Sequence, residues 1–228
     1  MDSHSKIWYL ENFSMFSVLK KEELQKIDQM AKMEETPRNH VLYYPDNQST
    51  TIFLLKKGKV KISKFSETGE DYILALLGPG EVFGELAITG EETRGEMATV
   101  TEDALVCRVD IMQFQELMAN NPALNLEITK LIGLKFKKIQ TKLEHLIFKT
   151  SEERIIWFIK SMASQFGRPI KGFAEQFQID IKFTHEEIGK LTATSRQMVT
   201  ATLSNLEKNG IIKYDRRRIY ILDITKLD

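Results

Sequence analysis

Residues 183–213 read FTHEEIGKLTATSRQMVTATLSNLEKNGIIK, and two helix-start signals in tandem within this stretch decide the fold of the C-terminal third. Thr184 followed three residues later by Glu187 is a capping box, which predicts a helix starting at Thr184. Ile188 and Leu191 share one face of it, and the polar run Thr192-Ala193-Thr194 ends it. Thr194 with Gln197 repeats the box and predicts a second helix. Val199, Leu203 and Leu206, four and three apart, give that helix a buried face. At Asn209-Gly210 it ends, glycine supplying the left-handed residue beyond the last turn. Ser195, Arg196, Gln197 and Thr200 are left outward on its first turn. Such side chains reach base edges and phosphates when the N-terminal end of a helix lies in the major groove. A plain helical hairpin with a polar outer face is the alternative. The two caps, the tight turn and the basic hairpin downstream favour a DNA-reading helix-turn-helix. Its contacts are expected from Thr184, His185, Thr194, Ser195, Arg196, Gln197, Thr200 and, on the hairpin, Arg217.

That hairpin is the pair of β-rich runs 211–214 and 219–222 around Asp215-Arg216-Arg217, a wing. Upstream, Thr150-Ser151-Glu152-Glu153 caps another helix carrying Ile155, Ile156, Phe158, Ile159 and Met162 as far as Gly167-Arg168-Pro169. Ile179, Ile181 and Phe183 then alternate as a strand leading into the helix-turn-helix.

Before this lies a long helix. Asn121-Pro122 is a start signal, since proline fits a first turn. Leu124, Ile128, Ile132, Phe136, Ile139, Leu143 and Leu146 follow as one stripe at spacings of three and four. The stripe could pack on the domain before it. About 25 residues of helix extend ~37 Å, however, longer than a small barrel can cover. A dimer seam through Leu124, Ile128, Ile132, Phe136, Ile139 and Leu143 is therefore expected, and a two-fold protein suits paired half-sites.

From residue 35 to 111 the character is β. Runs at 51–55, 59–62 and 72–77 are punctuated by Gly58, Gly69 and Gly78-Pro79-Gly80, and runs at 98–100 and 104–109 close the set. Strands at this spacing indicate an antiparallel barrel or jelly roll. Residues up to about Met33 read as short helices.

Composition agrees with a soluble globular chain, with 42% hydrophobic and 28% charged residues in 228. No apolar run approaches a membrane span, and MDSHSKIWYL has neither the basic start nor the apolar run of a signal peptide, so the expected home is the cytoplasm. The formal net charge of zero hides a modest asymmetry: 13 basic against 10 acidic residues from Ser151 onward, and 19 against 22 before it. A lone Cys107 excludes an internal disulfide and a four-cysteine cluster. A metal-dependent enzyme built on the jelly roll would need clustered histidines, and 35–111 holds only His40, so neither a metal site nor an enzyme is expected.

Barrel, long helix and winged helix-turn-helix in this order resemble the Crp–Fnr family of transcription regulators. The likeness spans nearly the whole chain. It is carried by Gly80-Glu81-Val82-Phe83-Gly84-Glu85-Leu86-Ala87 in the barrel and by Thr194-Ser195-Arg196-Gln197-Met198-Val199 in the reading helix. It implies an α+β fold with three parts: a sensor jelly-roll barrel preceded by helices over 1–120, a dimerisation helix over 121–149, and a winged helix-turn-helix over 150–228. It also implies a cytoplasmic homodimeric activator whose partners are double-stranded palindromic DNA and RNA polymerase. A cyclic-nucleotide-binding module of some partner protein is the alternative function.

The resemblance also points to an effector site at Gly84, Glu85, Leu86, Arg94 and Ile139. Gly84 would let the backbone approach a phosphate, and Glu85 would accept from a ribose hydroxyl, as in nucleotide-binding relatives. Those relatives place an Arg-Ser pair on the phosphate, where this chain has Glu96-Met97, with Arg94 two residues earlier. Their adenine-contacting Thr-Ser pair falls on Ile139-Gln140. A carboxylate repels a phosphodiester and methionine donates nothing. Cyclic AMP is not expected to bind, and no cofactor is assigned. Haem would need an axial ligand from His4, His40, His145, His185 or Cys107, and nothing singles one out. In the reader, Gln197 and Ala201 stand where well-known members carry Glu and Arg, so a different half-site is expected.

Overall fold

Alternating apolar residues build the N-terminal sheet around two long strands. The computed structural model describes residue 10 and residues 13–67, 69, 71–179, 183–215 and 218–227. In it β3 (Thr51–Phe65) pairs antiparallel with β6 (Met97–Asp110), from Thr51 opposite Asp110 to Ser63 opposite Met97. The runs at 51–55 and 59–62 are thus one strand, as are those at 98–100 and 104–109. Gly58, read from sequence as a turn, sits inside β3 at φ +82°, where the pairing register shifts. A Cβ there would lie 2.4 Å from the Asp103 carbonyl oxygen, so glycine serves a bulge that bends the strand. The other members are β1 (Lys32–Thr36), β2 (Val41–Tyr43), β4 (Asp71–Leu77) and β5 (Val82–Phe83). The sheet order is β1-β6-β3-β4, with β2 also on β6 and β5 on β3, every pair antiparallel.

Inside the sheet Phe53 stacks on Phe83 with centroids 5.0 Å apart, alongside buried Val60, Leu77 and Val100. A second apolar cluster forms where α1 (Lys21–Met30), α2 (Ile111–Ala119) and the start of α3 (Pro122–Phe148) pack together. Asp110 caps α2, its Oδ1 accepting from the amides of Met112 and Gln113. Asn121 caps α3 by accepting from the Leu124 amide at 3.0 Å, with Pro122 in the first turn as its ring demands.

This packing corrects the expected seam. Leu124 and Ile128 are buried in the second cluster, and Ile132 packs half-buried against it. The apolar surface of Leu124 and Ile128 is already covered within one chain, so none of it is left for a second copy, and that of Ile132 is covered in part. Phe136, Ile139 and Leu143 are instead 60%, 65% and 56% exposed. The chain divides into two compact units within α3, Met1–Lys137 and Lys138–Asp228.

In the second unit Thr150 caps α4 (Ser151–Phe166) by the expected box: its amide donates to Glu153 Oε2 at 2.7 Å and its Oγ1 accepts from the Glu153 amide. After α4 the chain makes β7 (Gly167–Ile170) and β8 (Phe173–Ile179), a hairpin that the sequence reading did not include. β7 is an edge strand, where Pro169 is tolerated. The expected continuation of strand through Ile181 lies outside the described residues. The wing strands β9 (Ile212–Tyr214) and β10 (Ile219–Ile221) complete a sheet of order β7-β8-β10-β9.

Between these strands in sequence stand α5 (His185–Thr192) and α6 (Arg196–Lys208). Thr184 caps α5 reciprocally with Glu187, as read. The cap of α6, however, is Ser195 rather than Thr194: Ser195 Oγ accepts from the Met198 amide at 3.1 Å. The turn is one residue longer because the Thr194 amide closes back on the Gly189 carbonyl at 2.9 Å, with Ala193 left-handed at φ +52°. Gln197 then falls one place short of a capping box. Gly189 is what allows so tight a return, since a Cβ there would meet the Thr194 carbonyl oxygen at 2.8 Å.

Candidate functional site

The candidate nucleic-acid interface is the first turn of α6. Val199, Leu203 and Leu206 bury one face of this helix, which leaves Ser195, Arg196, Gln197 and Thr200 exposed on the other. Ala201 and Ser204 continue that outer face. Ser204 was absent from the sequence reading, although its spacing of eight from Arg196 marks it.

What holds this turn in place is Arg154, at the start of α4. Its Nε donates to the Thr192 carbonyl at 2.9 Å, and its two terminal nitrogens donate to Ala193 at 2.9 Å and Lys149 at 2.8 Å. One guanidinium therefore caps the end of α5 and fixes the tight turn to the start of α4. No sequence signal marks this role, because its acceptors are backbone carbonyls.

Besides the capping residues Thr184 and Ser195, three expected contact residues are engaged within the protein: Thr194, Thr200 and His185. Thr194 Oγ1 lies 3.0 Å from Thr192 Oγ1. Thr200 Oγ1 donates to the Arg196 carbonyl at 2.9 Å, so its oxygen must accept from His185 Nδ1, 2.7 Å away. That assignment places the ring proton of neutral His185 on Nδ1 and leaves Nε2 a bare lone pair. The ring packs 5.3 Å from that of Tyr214 on the wing. Burial, and then the charge of Arg196, hold its pKa below the usual 6.5. Thr184 is exposed at the start of α5. Arg217 lies outside the described residues.

The barrel residues form a second cluster. Gly84, at φ +69°, leads into a 3-10 helix, Glu85–Thr89, and Leu86 on it is exposed. Arg94 is only 4% exposed and turns inward. It donates to the Gly84 carbonyl at 3.0 Å and to the Thr51 carbonyl, with its guanidinium 4.7 Å from the Tyr43 ring centroid. Tyr43 donates its hydroxyl proton to Glu96 at 2.9 Å. Burial raises the Glu96 carboxyl above the usual carboxylate range, with the Tyr43 hydrogen bond opposing and Glu85 adding to the rise. Burial, then Glu96, pushes the Tyr43 hydroxyl up, and burial lowers Arg94. Glu85 is buried and pairs with Lys135 of α3 at 2.8 Å. Of the five expected effector residues the structure groups Gly84, Glu85 and Arg94. Ile139 belongs to the second unit, exposed on α3. Tyr43 and Lys135 went unnoticed in the sequence because both lie more than 40 residues from their partners.

Comparison with known proteins matches residues 33–121 to a family model described as a cyclic nucleotide-binding domain and residues 153–228 to a Crp-like helix-turn-helix domain. Among curated relatives, a global nitrogen regulator of Synechococcus elongatus is 28% identical over 196 residues, covering 84% of this chain and 86% of that one. A CRP-like cAMP-activated global transcriptional regulator of Mycobacterium tuberculosis is 24% identical over 191 residues, 84% of each chain. Among solved structures, FixK2 from Bradyrhizobium japonicum superimposes with a TM-score of 0.76 at 19% identity, over 86% of this chain and 95% of that one.

The first family model implies an anionic cyclic phosphodiester, and the residues present do not fit one. Arg94 is committed to two backbone carbonyls and an aromatic face. Glu96 stands where the resemblance calls for a phosphate donor, and the Glu85 carboxylate, which would serve a ribose hydroxyl, is taken by Lys135.

The buried Glu96 makes a pH prediction. A carboxyl whose folded pKa is raised favours the folded state most when protonated, so its contribution is full below the unfolded value near 4.5 and is lost as pH rises through the folded value. Glu96→Gln keeps an acceptor for Tyr43 and removes the charge. Thermal melts should show the variant more stable than wild type at pH 7.5, with the gap closing towards pH 4.5. A variant less stable at pH 7.5 would show that the carboxylate itself is needed.

Proposed function

The chain belongs to the Crp–Fnr family of transcription regulators, and from that premise we propose that it acts as a homodimer reading a palindromic DNA site through α6. The observation that carries this reading is the exposed row Ser195, Arg196 and Gln197 on a helix whose opposite face is buried and whose turn is fixed by Arg154. Arg196 suits the O6/N7 edge of guanine, Gln197 the N6/N7 edge of adenine, and Ala201 a thymine methyl. Ser195 can donate its hydroxyl proton to a phosphate while its oxygen caps the helix. Thr184 and His185 sit at the open end of α5, where backbone amides favour a phosphate. Thr200 contributes its methyl, since its hydroxyl is engaged.

The exposed apolar residues Phe136, Ile139 and Leu143 meet their counterparts in a second copy, which sets two reading heads on half-sites about one helical turn, ~10 base pairs, apart. The barrel biases that placement, and regulation proceeds by binding rather than catalysis, with RNA polymerase as the partner at the promoter. Among the described residues no helix is long and apolar enough to cross a membrane.

Two measurements test the reader. Arg196→Ala should cost roughly 1–3 kcal/mol of operator binding and relax preference at one base pair in a selection from random duplexes. An unchanged selected motif would mean that another residue reads that position. His185 tests the phosphate contact: with Nδ1–H turned to Thr200, Nε2 can donate to a phosphate only when the ring is protonated. Binding then takes up a proton, because the phosphate raises a pKa held low in the free protein. At fixed ionic strength affinity should fall as pH rises between those two values, by up to about tenfold per pH unit per protomer. His185→Arg should abolish the dependence and keep the low-pH affinity. A wild type with pH-independent affinity would remove His185 from the contact.

A further inference from the structure

Lys135 of α3 reaches the barrel. Its Nζ lies 2.8 Å from Glu85 Oε2 and donates to the Val82 carbonyl at 2.7 Å. These two acceptors flank Phe83 and Gly84, and Arg94 holds the Gly84 carbonyl at 3.0 Å. The segment from Val82 to Glu85 is therefore gripped by a lysine from the long helix and an arginine from the loop before β6. Glu85 is largely buried, its side chain 11% exposed, and Lys135 is 30% exposed, so solvent screens this pair less than a surface one. The next residue, Phe136, is the first exposed member of the apolar stripe. Neighbouring residues on an α-helix are held about 100° apart, so fixing Lys135 fixes the direction of Phe136.

We propose that Lys135 is a positioning residue: its ion pair with Glu85 ties the Gly84 segment to α3 and sets the rotation at which the helix offers Phe136, Ile139 and Leu143 to the second copy. The proposal rests on the dimeric reading above. The carboxylate that would otherwise serve a ligand hydroxyl is engaged by the chain's own lysine. The tie between barrel and helix is built in, and a ligand needing Glu85 would have to break it.

The test uses the full chain carrying Lys135→Gln, Glu85→Gln, Lys135→Arg, or the charge-swapped pair Glu85→Lys with Lys135→Glu. Operator affinity is read by anisotropy, dimerisation by sedimentation, and folding by thermal melts. Each glutamine variant should lose about tenfold in operator affinity, within the usual range for coupled sites. Combining the two should cost no more than either alone. Lys135→Arg should retain most of the affinity and the swapped pair should recover it, which a generally weakened barrel would not allow. Wild-type affinity in Lys135→Gln, or a swapped pair as impaired as the single variants, would overturn the proposal. If the wild type itself bound no DNA, the functional reading would fail separately, and sedimentation would still decide: equal dimerisation of wild type and Lys135→Gln overturns the role of the pair.

Discussion

Leu124 and Ile128 are buried in the core of the first unit while Phe136, Ile139 and Leu143, on the same continuous helix, are bare. Much of the rest follows from that change along α3. Leaving a stripe of leucine, isoleucine and phenylalanine in water costs roughly 1.5–3 kcal/mol for each side chain relative to burying it. The first two turns satisfy this against α1, α2 and the sheet. Phe136, Ile139 and Leu143 are exposed among the described residues, and in the dimer proposed above a second copy of the same stripe covers them. In that arrangement the helix serves two cores, one within a protomer and one between protomers, and Lys135, paired with Glu85, stands just before the exposed part of the stripe.

The barrel turn at Gly84 has a left-handed backbone, and the polar side chains around it are turned to partners in the chain itself. Gly84 retains its left-handed conformation, and a Cβ there would strike Arg94 at 2.7 Å. The polar side chains around it are engaged within the chain: Arg94 with backbone carbonyls, Glu85 with Lys135, Glu96 with the Tyr43 hydroxyl. On the proposal above, a ligand that needs Glu85 has to break its pair with Lys135, which makes that pair the place for control.

Local signals were legible in the sequence and distant ones were not. The capping boxes at Thr150 and Thr184, the start of α3 at Asn121-Pro122 and the wing strands could be read because cause and effect lie within four residues. The cap of α6 was misplaced by one because Thr194 and Ser195 are both good capping residues. The choice between them was made by Gly189, whose missing side chain admits the Thr194 carbonyl. Gly58 looked like a turn because glycine in a β-rich run signals either a turn or a bulge, and only the Asp103 backbone across the sheet separates the two. The apolar stripe of α3 was found whole, but periodicity says which face is apolar and not what covers it. Arg154, Lys135, Tyr43 and Glu96 act through partners 38 to 53 residues away, and no spacing rule reaches that far.

The account stands or falls on the bare half of α3 being the meeting surface of two copies that together hold DNA. Cys107 is buried, so a single cysteine introduced by Ile139→Cys would be the accessible thiol among the described residues. Ile139 lies in the stripe, where side chains from two copies of a parallel pair face each other within disulfide reach. Mild oxidation of the variant at micromolar concentration should give a covalent dimer that retains operator binding. Failure to cross-link while the variant still binds its operator would contradict the account.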